Sequence, residues 1–123
     1  NTAFEINVFN LLGEKVADVK ESKRLVDSPC TIVAGKDGMD VHTERMMKMM
    51  DKTFEGAKKV FEVNLNHKIL QNLTKYFDEK GVDERFKTVV EQLYGSALLI
   101  EGELKNPADY VAKVYEMIEE QTN

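Results

Sequence analysis

Residues 83–118 constrain what this chain can fold into more than any other stretch. Phe86, Val90, Leu93, Ala97 and Ile100 recur at intervals of four, three, four and three, the spacing of an apolar seam on a helix that lies lengthwise on other helices. After Gly102, Val111, Val114 and Ile118 resume the rhythm. With about 100° of turn per residue, Leu98 and Leu99 fall outside the first seam, one on each side of it. On the second helix Tyr110, Val114 and Met117 flank Val111, Tyr115 and Ile118, so its apolar arc spans roughly half the circumference. The body of a small domain covers only part of so much helix surface. The simplest cover for the rest is the same hairpin from a second copy, forming a four-helix bundle. The sequence therefore predicts a homodimer built on Phe86, Val90, Leu93, Ala97, Leu98, Leu99, Val111, Val114, Tyr115 and Ile118.

The remaining 80 or so residues upstream of that hairpin must supply a single core, since a chain of 123 residues is one domain and too short for two. A hydrophobic content of 42% with 32% charged residues is that of a folded, water-soluble domain rather than a disordered one. The net charge of -5 argues against nucleic acid or an anionic membrane as the main partner, because either selects a clustered Lys/Arg face. No stretch reaches the roughly 18 apolar residues of a membrane span. The single cysteine, Cys30, excludes an internal disulfide and fits a reducing cytoplasm. Asn1 in place of a methionine suggests a piece of a longer protein whose chemistry lies upstream.

In chain order, Phe4, Val8, Leu11 and Leu12 predict a helix over residues 3–12, closed by Gly13. Residues 16–25 alternate imperfectly and lead to Ser28-Pro29, where a strand ladder is interrupted. Cys30 to Ala34 is a β-branched run, and residues 60–64 alternate, so both read as strands. Between them Asp40 is placed to cap a helix from Val41 to about Thr53. Asn66 is expected to cap the next helix, whose face is Ile69, Leu70, Leu73, Tyr76 and Phe77 and whose end is Gly81. Asp83 caps the first arm of the hairpin, and Asn106-Pro107 with Asp109 starts the second. The expected class is α+β: a small three-stranded sheet with flanking helices, followed by the C-terminal helical hairpin.

Met39, Thr43, Met46, Met50 and Phe54 share one helix face, flanked by Met47 and Met49 and backed by Glu44, Lys48, Asp51 and Lys52. Such a stripe reads either as core filling or as an adaptable binding surface, because methionine is flexible and polarizable. No catalytic or metal constellation emerges. His42 and His67 are far apart in sequence with no shared ligand set, Cys30 sits in an apolar strand, and Glu101, Glu103, Glu119 and Glu120 read as a solvated rim. Gly35-Lys-Asp-Gly38 lacks the spacing of a phosphate loop.

Several segments together resemble a known family. Leu11-Leu-Gly-Glu-Lys-Val-Ala-Asp-Val19, Lys23-Arg-Leu-Val-Asp-Ser-Pro-Cys30, Glu44-Arg-Met-Met-Lys48, Phe61-Glu-Val-Asn-Leu-Asn-His67, and Ala97-Leu-Leu99 before Asn106-Pro107 are similar, in that order, to the C-terminal domain of the heat-shock protein 90 chaperones, above all the bacterial members. The resemblance implies that residues 1–10 end a middle-domain connection and that residues 11–123 are a dimerisation domain. It implies an ATP-dependent chaperone in which Ala97, Leu98 and Leu99 lie at the bundle joining two protomers. It further implies that Met46, Met49 and Met50 face unfolded or partly folded client proteins. ATP, magnesium and the catalytic arginine belong to the family's other domains, so no cofactor is expected in this chain. The ending Gln121-Thr-Asn123 differs from the acidic tail of the eukaryotic cytosolic members, so co-chaperones that read that tail are not expected to bind.

Overall fold

The computed structural model describes residues 2–35, 41–52 and 58–123. Helix α1 (Thr2–Leu12) leads through a short 3-10 turn at Gly13–Lys15 into strand β1 (Val16–Glu21), followed by β2 (Cys30–Ala34), α2 (Val41–Met50), β3 (Lys59–Val63), α3 (Lys68–Lys80), α4 (Glu84–Ile100) and α5 (Pro107–Thr122). The expected cap Asp40, the methionine Met39, the turn after Gly35 and Phe54 lie outside the described residues. The class is α+β with one small mixed sheet. A second hairpin, needed for a four-helix bundle, would come from another chain.

β3 is the central strand, parallel to β1 and antiparallel to β2. The register sets Val19 and Ile32 on either side of Phe61, giving one apolar row across the sheet. β1 carries an irregularity between Val16 and Asp18, which is why its buried residues, Val16 and Val19, are three apart rather than two. The strand expected to reach residue 25 stops at Glu21. There Ser22 N–H still donates to the Val63 carbonyl (2.7 Å), but the Ser22 hydroxyl accepts from the Arg24 and Leu25 amides at 3.3 and 3.2 Å and turns the chain away.

The core lies between the sheet and α1, α3 and α4. Phe4, Val8 and Leu12, four residues apart on α1, are all buried. Residue 10, the expected boundary, lies within the span of α1. Phe4 meets Phe77 and Phe86 edge-on at 5.9 and 6.0 Å, joining α1, α3 and α4.

The start of α3 departs from expectation. His67, not Asn66, is the N-cap, its Nδ1 accepting from Ile69 N–H at 3.1 Å. Asn66 is held instead by Asn64, whose side chain accepts from the Asn66 amide (3.1 Å) and donates to the Ser28 carbonyl (3.2 Å). Asn64 is buried and pins the loop before β2. On α3, Leu70 and Leu73 are buried and Tyr76 and Phe77 pack against the core, while Ile69 points out to solvent.

Candidate interaction surfaces

Helix α4 starts where the sequence places it: the Asp83 carboxylate accepts from Phe86 N–H at 2.9 Å. The Tyr76 hydroxyl also donates to Asp83, and this bond, ahead of the Phe86 amide, holds the Asp83 carboxyl below the ordinary range. Along α4, Phe86, Val90 and Ala97 turn inward and are buried, with Leu93 and Leu98 half-buried against the same core. In the single chain, Phe86, Val90 and Ala97 of the expected set are thus covered by their own core.

The turn after α4 closes on Gly102, whose φ of 72° suits a residue without a Cβ. Its amide donates to Leu99 O (3.1 Å), and Glu103 N–H donates to Leu98 O (2.8 Å). Glu103 is no free rim residue, because its carboxylate pairs with the Lys59 ammonium and fastens the turn to the sheet. Asn106 then caps α5 by accepting from Asp109 N–H at 3.3 Å, with Pro107 in the first turn. The arms of the hairpin meet at Tyr110, whose hydroxyl lies 2.8 Å from Ser96 Oγ and whose carbonyl accepts from Gln92 Nε2 at 3.3 Å.

No residue of α5 is buried in the single chain. Val111, Tyr115, Met117 and Ile118 on α5 and Leu99 and Ile100 on α4 are exposed, Tyr115 by 67%, Leu99 by 52% and Ile118 by 50%. Val114 is half-buried. These are large apolar side chains left exposed on two helices that meet at Tyr110.

A second apolar surface lies on α2. Met49 and Met50 are 83% and 80% exposed, and Met46 and Met47 are exposed with them. The core reading of the methionine stripe therefore fails for its described members. Among the described side chains of this helix Glu44 is the half-buried exception, within 3.9 Å of Lys48.

The sequence did not reveal a half-open cleft of about 770 Å³ between α4, α5 and the sheet, walled by Ile32, Tyr94, Leu98, Leu104 and Tyr110. Burial, and then the charge of Glu103, push the Tyr94 phenol above its usual range. Cys30 is buried with its thiol donating to Leu93 O at 3.4 Å, and burial pushes it up to about 12. At neutral pH it is a protonated, unreactive thiol. Among the described residues no group of His, Cys, Asp or Glu side chains is arranged to hold a metal ion, and no helix is long and apolar enough to cross a membrane.

Compared with known proteins, residues 2–123 match the model of a family described as Hsp90 protein. The chain is 47% identical over 115 residues to the chaperone protein HtpG of Chlorobaculum tepidum and 48% identical over 111 residues to that of Chlorobium phaeovibrioides. Against the chaperone protein HtpG of Chromobacterium violaceum the identity is 37% over 108 residues. These matches take in 91%, 90% and 87% of the chain but only 18%, 18% and 16% of the relatives' own lengths.

Proposed function

The chain belongs to the Hsp90 protein family, and from that premise we propose that it is the C-terminal dimerisation region of an ATP-dependent, cytoplasmic chaperone. Two protomers join through the outer faces of α4 and α5, and α2 presents methionines to unfolded client proteins. The observation that carries this reading is the set of large apolar side chains left open by one chain: Leu99 and Ile100 on α4, and Val111, Tyr115 and Ile118 on α5. Burying such a side chain contributes about 1.5–3 kcal/mol, and a two-fold interface counts each position twice. A lasting junction keeps the rest of each protomer at high effective concentration around its twin, so that closure of the upstream parts becomes an intramolecular step. The exposed methionines Met46, Met49 and Met50 support client contact in addition to dimerisation.

Sedimentation across dilution tests the reading. The chain is expected to be a dimer at micromolar concentration, and Leu99→Glu with Ile118→Glu a folded monomer. These positions suit the test better than Leu98, which packs on its own core. A wild-type monomer at tens of micromolar, or a dimer that survives both charges, would overturn it.

A further inference from the structure

We propose that Tyr110, seated on Gly95, is the positioning residue that presets the α4/α5 hairpin for its second copy. The inference rests on the dimer reading above and says how the self-docking face is held in shape. Gly95 is buried in the middle of α4, where glycine weakens a helix and needs a reason. The reason is the ring of Tyr110. A Cβ built on Gly95 would meet Tyr110 Cδ2 at 2.8 Å and Cε2 at 3.1 Å, closer than side chains tolerate. The bare backbone of α4 thus lets α5 approach at this one point. Around it, two hydrogen bonds tie Tyr110 to the turns of α4 on either side: its carbonyl accepts from Gln92, and its hydroxyl bonds the hydroxyl of Ser96. Ser96 in turn donates to Gln92 O at 2.8 Å when its proton is directed there, so the three residues form one closed patch.

The consequence is geometric. Leu99 and Ile100 stand on α4, and Val111, Tyr115 and Ile118 on α5. How the two sets stand relative to one another is set by the separation and crossing of the helices. Moving α5 off Gly95 displaces one set relative to the other, and two-fold symmetry repeats the error in the partner. Two preset hairpins dock as rigid bodies, with little ordering left to lower the affinity.

The test is a double-mutant cycle on the 123-residue chain, read by sedimentation equilibrium. Gly95→Ala is expected to raise the dimer dissociation constant by about tenfold or more, and the same change in a Tyr110→Ala background by less than about twofold, since no ring remains to be pushed. Tyr110→Phe, which keeps the ring and loses the hydroxyl, stays within about threefold of wild type. Native-state protection of Cys30 from iodoacetamide verifies that each variant keeps its core. A second readout is independent of dimerisation: trypsin cleavage after Lys113 in the diluted chain should quicken with Gly95→Ala and not with Tyr110→Phe. Wild-type affinity and cleavage in Gly95→Ala, or an equal loss in both backgrounds, would overturn the proposal. A chain that is monomeric throughout would defeat the dimer reading instead, while the cleavage contrast still decides whether Tyr110 fastens the hairpin.

Discussion

Cys30 sits in β2 with its thiol against the Leu93 carbonyl, and burial alone takes it from 9.0 to about 12. The folded chain therefore holds this proton when the unfolded chain has released it. Its contribution to stability is complete below about pH 9 and fades as pH rises from there towards 12. The slope from one proton is at most about 1.4 kcal/mol per pH unit. In urea titrations, Cys30→Ala should be less stable than wild type at pH 7, and the gap should narrow between pH 9 and pH 11. A gap that stays constant would mean that the thiol is not shielded. The inertness of Cys30 was legible from its β-branched neighbours. The cap at His67 was not, because Asn66 is the better capping residue by type; the buried Asn64 takes the Asn66 amide and moves the helix start along by one.

At the level of the element, stop and start signals carried the most information. Asp83, Asn106-Pro107 and the Gly102 turn lie where their chemistry requires. β1 was harder to read, since its irregularity hides the two-residue alternation that marks a strand. Periodicity identified the inward face of α4 but not its cover, because an apolar stripe has the same pattern against a sheet as against a second helix. For α5 the cap matters more than for the core helices, as Tyr110 and Val114 alone among its side chains are even half-buried. Removing the side chain with Asn106→Ala should cost about 0.5–2 kcal/mol, felt as local opening rather than global melting. Amide exchange in the first turns of α5 should quicken by about 2- to 30-fold while α3 is unchanged. Unaltered exchange at residues 108–111 would show that packing on α4, not the cap, sets the stability of α5.

At the scale of the molecule, one chain displays two separate apolar surfaces, the outer hairpin face and the methionines of α2. A net charge of -5 keeps such a chain in solution but covers neither surface. The order of elements was legible because each is bounded by its own local signals; what each surface meets was not, since partner atoms leave no trace in a single chain's periodicity. The two surfaces can be separated by substitution. Met46, Met49 and Met50 are exposed, so changing all three to serine should leave melting temperature and dimer dissociation constant near wild type. Aggregation of a heat-unfolded test protein, followed by light scattering, should be suppressed less by this variant than by wild type, because three adaptable apolar contacts per chain are gone. The complementary variant, Leu99→Glu with Ile118→Glu, should lose the dimer while each monomer keeps its methionines and part of its capacity to suppress. If serine at the three positions leaves suppression unchanged, the methionines of α2 have no part in holding unfolded chains, and the hairpin face alone remains to account for it.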